Sequence, residues 1–89
     1  MIPSIYINSS LEIRLALGRL PQRGHATLRV FDLAGRVVRT LVDGDLPAGE
    51  HVSQWDASDA QGARVPAGMY FARLWSGERT ALRKMLFVR

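Results

Sequence analysis

Apolar residues in this chain alternate with polar ones in short runs, and the runs are cut by Asp-x-x-Gly and Pro-Ala-Gly tetrads. That pattern constrains the fold more than any other feature. Successive side chains leave an extended backbone on opposite faces, so a period of two gives a strand with one apolar face. Leu11, Ile13, Leu15 and Leu17 alternate with Glu12, Arg14 and Ala16, and after a polar turn at Gly18–Gly24 a second run places Ala26, Leu28 and Val30 against Thr27, Arg29 and Phe31. Asp32-Leu33-Ala34-Gly35 reads as a tight turn, since Asp bonds the backbone ahead and Gly accepts an unusual backbone angle. A third strand follows over Arg36–Val42, rich in β-branched residues, and Asp43-Gly44-Asp45 reads as the turn that ends it.

Leu46-Pro47-Ala48-Gly49 and Val65-Pro66-Ala67-Gly68 place Pro second and Gly fourth, as a type I turn does, and read as two strand entrances. Between them lie a strand over Glu50–Trp55 and a loop, Asp56–Gly62, whose Asp59-Ala60-Gln61-Gly62 echoes the earlier turn. Met69–Trp75 carries two apolar sets, Tyr70, Ala72 and Leu74 against Met69, Phe71 and Trp75, and so predicts a central strand or one with an amphipathic outer face. After Ser76-Gly77-Glu78, a last strand over Arg79–Arg89 places Leu82, Leu86 and Val88 opposite Ala81, Met85 and Phe87. Six strands, a short seventh around Arg64-Val65 and no helical period predict an all-β, immunoglobulin-like antiparallel sandwich of about seven strands, with a small barrel as the alternative. Residues 1–10 read as a linker or N-terminal extension and 11–89 as the domain.

At 89 residues the chain is one domain, above the roughly 40 residues below which a core needs staples. It has no cysteine, which excludes a disulfide or thiolate metal site. No apolar run approaches the about 18 residues of a membrane span, and Met1–Ile7 lacks the charge and apolar length of a signal peptide. The net charge of +4 comes from 12 Lys and Arg against 8 acids. Its arginines are interleaved with apolar residues as outward strand positions are, which reads as a solvated face rather than a nucleic-acid site.

Catalytic chemistry has little to work with. His25 and His51 stand apart with no partner motif, and neither cofactor nor metal is expected. Asp56 and Asp59 lack the donor spacing of a calcium loop, so bonding to loop amides is the expected role, with a weak cation site that orders the loop as the minor alternative. Trp55 and Tyr70 are expected in the core, each with its polar tip partnered. Trp75, beside a hairpin turn, is the aromatic expected to make a surface contact, although aromatics among arginines also suit base stacking. Asn8-Ser9-Ser10 fits a glycosylation triplet, a frequent coincidence.

The stretch Leu28–Val42, the Pro47-Ala48-Gly49, Trp55-Asp56 and Val65–Gly68 elements, Tyr70-Phe71 and the terminal Lys84–Arg89 together resemble a widespread C-terminal domain. It is similar to the immunoglobulin-like domain of the flagellar hook-capping protein, FlgD, and more so to the type IX secretion C-terminal sorting domains. The resemblance covers about residues 11–89. It implies that Gly35, Gly49, Gly62 and Gly68 are fixed turn positions, Trp55 and Tyr70 core anchors, and Asp56 and Asp59 loop organisers. Lys84, Leu86, Phe87, Val88 and Arg89 would be read by a protein partner, either export machinery or a neighbouring domain or subunit, through edge pairing of the last strand. The function so implied is a non-catalytic sorting and anchoring domain, with a FlgD-like assembly or adhesion module as the alternative. The implied location is secreted or cell-surface through the periplasm, at the end of a longer protein.

Overall fold

The computed structural model describes residues 4–7 and 13–87 and is built entirely from strands and their connections. Six strands have seven to ten residues: β2 (Ile13–Leu20), β3 (Gly24–Asp32), β4 (Val37–Leu46), β5 (Gly49–Trp55), β6 (Gly68–Ser76) and β7 (Arg79–Phe87). A four-residue strand, β1 (Ser4–Ile7), precedes them. They form a five-stranded sheet ordered β1-β7-β6-β3-β4 and a two-stranded sheet, β2-β5. The expected immunoglobulin-like sandwich is therefore present, with unequal layers.

The alternation explains the packing. Ala26, Leu28 and Val30 of β3, Tyr70, Ala72 and Leu74 of β6, and Met85 and Phe87 of β7 all point to one side of the larger sheet and are buried. Trp55 from the end of β5, and Ala57 and Val65 from the following loop, close over them. The strand β4 contributes through two irregularities in its register with β3, which fall between Leu28 and Arg29 and between Val30 and Phe31. Each inserts one extra residue, Leu41 and Val38, and both pack on the core. Bulges are common on edge strands, where they also discourage pairing with a further strand.

Trp55 is the pivot between layers. Its ring meets Tyr70 edge-on with centroids 5.4 Å apart, and its indole N–H donates to the Ser58 carbonyl at 2.8 Å. The Tyr70 hydroxyl donates to the Pro66 carbonyl at 2.6 Å. A tyrosine near the start of a strand, bonded to backbone a few residues upstream, is the tyrosine corner that ties off such sandwiches.

Several local expectations are corrected. Asp43-Gly44-Asp45 is not a turn but the interior of β4, opposite His25–Thr27 of β3. The outward carboxylates are matched across the strands, Asp43 to His25 at 2.9 Å and Asp45 to Arg23 at 3.6 Å. Around Arg64-Val65 there is only an isolated bridge between Ser58 and Arg64, because Val65 plugs the core instead of extending a sheet. Within the stretch 1–10, Ser4–Ile7 is strand, and it pairs with Lys84–Phe87 in parallel. A parallel pair needs a long connection, and here the rest of the domain provides it. That pairing also removes the premise of an open last strand: from Lys84 onward β7 lies between β6 and β1.

Candidate functional site

Two Asp-to-Gly turns repeat one hydrogen-bond set. In the first, Asp32 N–H donates to the Arg36 carbonyl at 3.0 Å and Gly35 N–H to the Asp32 carbonyl at 3.0 Å, while Asp32 Oδ1 accepts from Arg36 N–H at 2.9 Å. In the second, Asp59 N–H donates to the Ala63 carbonyl at 2.8 Å and Gly62 N–H to the Asp59 carbonyl at 3.0 Å, while Asp59 Oδ1 accepts from Ala63 N–H at 2.9 Å. The geometry requires left-handed backbone at the glycine, with φ of 87° at Gly35 and 85° at Gly62, where a Cβ would cost about 1–2 kcal/mol. Gly49 and Gly68, at φ 119° and 153°, open β5 and β6.

The loop after Trp55 is organised by its acids. Asp56 accepts from the Ser58 hydroxyl and from Ser58 N–H, and Arg39 of β4 donates to Ser58 Oγ at 2.6 Å and to the Asp59 carbonyl at 3.0 Å. Ala57, fully buried, is held at φ 61° between these bonds. Among the described residues no cluster of three metal-ligating side chains forms. Asp56 Oδ1 accepts from both the Ser58 hydroxyl and N–H, with Arg39 at 4.0 Å, which is what a structural loop requires.

These contacts set an acid limb. Asp32 is held below the usual carboxylate range chiefly by the Arg36 backbone N–H, and Asp56 by the Ser58 hydroxyl. A depressed folded-state pKa stabilises the fold above the unfolded value near 3.8, and the contribution is lost as pH falls through the folded value. The urea midpoint should therefore be flat from pH 7 to 5 and drop below about pH 4, and Asp32→Asn should lower it at pH 7 while making the acid limb shallower. An acid limb unchanged by that substitution would exclude the turn as its source.

The second face of the five-stranded sheet differs from the first, because no element among the described residues packs on it. It presents Arg29 and Phe31 from β3, Phe71, Arg73 and Trp75 from β6, and Leu82, Lys84 and Leu86 from β7, on the side opposite the buried alternates. Phe31 and Trp75 meet edge-on at 6.1 Å, and the Arg73 guanidinium lies 5.6 Å from the centre of the Trp75 ring. The β3–β4 turn adds Leu33, which is 74% exposed. An open groove of about 350 Å³ runs between that turn and Phe71, Arg73 and Leu82. An apolar, aromatic and basic surface of this kind suits protein contact.

The residues expected to be read by a partner divide. Phe87 is fully buried, since the alternation that brings Met85 inward carries Phe87 with it, so it is a core residue and not a recognition residue. Lys84 and Leu86 lie on the outer face. Val88 and Arg89 lie outside the described residues. Trp75 is on the outer face as expected, whereas Arg29, Arg73 and Phe31 were not singled out from sequence. Which arginine stands beside which ring is set by strand register, and that is not visible in a linear chain.

The FlgD Ig-like domain model matches residues 10–76. The chain belongs to the FlgD Ig-like domain family. Two similar proteins, each called basal-body rod modification protein FlgD, come from Salmonella typhimurium and Salmonella typhi, and each is 48% identical over 44 residues. That stretch is 49% of this chain and 19% of each relative, so the alignment touches about a fifth of their length. The expected location, secreted or displayed at the cell surface as a sorting tail, is overturned by this membership: the matched family is a domain of FlgD, and its named relatives are called basal-body rod modification proteins.

Proposed function

We propose that this FlgD-type domain is a non-catalytic assembly module of a flagellar rod or hook-cap protein, and that it holds a protein partner on the outer face of its larger sheet. The observation that carries the reading is the match over residues 10–76, joined to a sheet face that keeps three aromatic rings and three cations outside the core. The covered inner face and the hydrogen-bonded loops give that surface a rigid support, and binding on a preorganised surface loses less conformational entropy.

Deleting residues 11–89 from the gene in the native organism is expected to leave basal bodies without completed hooks in electron micrographs. A deletion strain that swims and builds normal hooks would refute the assembly reading.

A further inference from the structure

The register places Arg29 of β3 directly opposite Arg73 of β6. Directly paired residues on neighbouring strands have Cβ atoms about 4.5–5.5 Å apart, and like charges at that spacing destabilise a sheet. Among the described residues neither arginine has an acidic partner, and neither does Lys84. The acids of this sheet are answered, Asp43 by His25, Asp45 by Arg23 and Asp32 by Arg36, whereas Arg79 and Arg83 of β7 are not paired with an acid among the described residues. The like-charged pair is bordered by Phe31 and Phe71 on one side, themselves directly paired, and by Trp75 on the other. The next position across from Arg73 is Leu82. Arg73 thus sits among apolar side chains, and Arg29 lies between it and Thr40 of the edge strand β4.

We propose that this face docks an acidic, apolar segment of a protein partner, with a partner carboxylate seated between Arg29 and Arg73 and apolar side chains on Phe31, Phe71 and Trp75. The inference deepens the assembly reading and rests on it for the choice of a protein. Charge complementarity selects the partner. A second copy of this chain brings the same positive face and a net charge of +4, and Leu33, Leu82 and Leu86 offer nothing to a phosphate backbone. A guanidinium already stacked on an indole is preorganised to bind a carboxylate with two parallel bonds.

The full chain, labelled with nitrogen-15, would be titrated by NMR with a nine-residue alternating Leu/Glu peptide, its Leu/Ser counterpart and oligo(dT). The Leu/Glu peptide is expected to shift the Trp75 indole and the Phe31 and Phe71 amides, leave the Trp55 indole in place, and bind at least tenfold more tightly than the Leu/Ser peptide. Arg29→Glu, which would pair with Arg73 across the strands, is expected to raise Tm by about 2–5 °C while weakening the Leu/Glu peptide at least tenfold. A merely structural arginine would not move those two readouts in opposite directions. No shift at millimolar peptide, equal affinity for Leu/Ser, or a lowered Tm in Arg29→Glu would each overturn the proposal; tighter oligo(dT) binding at the same signals would reassign the face to nucleic acid. Hook loss in the deletion strain without peptide binding would sink this docking surface alone. Peptide binding with normal hooks would sink the assembly role alone.

Discussion

Trp55→Ala is expected to cost about 3–5 kcal/mol, the range for removing a large buried aromatic, and to lower Tm by on the order of 20 °C. The size follows from position. Trp55 is 1% exposed, ends the smaller sheet, and packs its edge on Tyr70 of the larger one. Removing it opens a cavity where the two layers share an aromatic contact, and it also strips the Ser58 carbonyl of its indole donor, which adds about 1 kcal/mol if the carbonyl stays buried. A domain of this length holds only about 4–13 kcal/mol in total, so a large part of its stability passes through one side chain. Thermal unfolding followed by circular dichroism measures the effect. A drop of only a few degrees would show that β2–β5 docks through the loop and not through the ring. Trp55→Phe separates the two contributions, since it keeps most of the apolar area and loses the indole donor.

Why some of this was legible and some was not follows from the range of each signal. The alternation in Ala26-Thr27-Leu28-Arg29-Val30 and in Tyr70-Phe71-Ala72-Arg73-Leu74 is local, and each residue falls on the face its parity assigns. The Asp-x-x-Gly turns are local too, because the carboxylate bonds amides two to four residues ahead. Asp43-Gly44-Asp45 has the composition of a turn and the structure of a strand, since His25 and Arg23 supply the polar partners that let two carboxylates stand side by side on β4. Those partners lie on or just before β3, and only tertiary pairing brings them close. For the same reason β1 went unread: four residues pair with the far end of the domain.

The outer face is the sharpest case. Arginines spaced among apolar residues look in sequence like ordinary solvated positions, and Arg36 and Arg23 behave that way, each answered by an acid. Arg29 and Arg73 have the same sequence appearance. Register alone sets them against each other beside Phe31 and Phe71. The place of the proposed docking surface comes from the sheet.

Removing Lys84–Arg89 is the second change with a large expected effect, and it tests whether the end of the chain is a detachable signal or part of the fold. A recognition tail can be cut off without unfolding what it labels. Here the cut takes out Met85 and Phe87, both fully buried; losing a buried Met costs about 2–5 kcal/mol and a buried Phe about 3–5 kcal/mol. It also removes every residue of β7 that pairs with β1, since Ser4–Ile7 meets only Lys84–Phe87. Together with the lost β1 pairing these losses take most of the about 4–13 kcal/mol that a domain of this size holds, so chain 1–83 is expected to give no cooperative thermal transition and a poorly dispersed NMR spectrum. Lys84→Gln, which leaves both core residues in place and changes only an outward charge, is expected to unfold within about 3 °C of the parent, as surface substitutions usually do. The contrast between the two variants matters more than either alone. If truncation unfolds the domain and Lys84→Gln does not, any function lost on truncation is lost through the fold, and the outer face must be tested by charge substitutions. If chain 1–83 still melts cooperatively near the parent Tm, the sheet closes without its last four described residues, and the end of the chain is free to act as a signal in its own right.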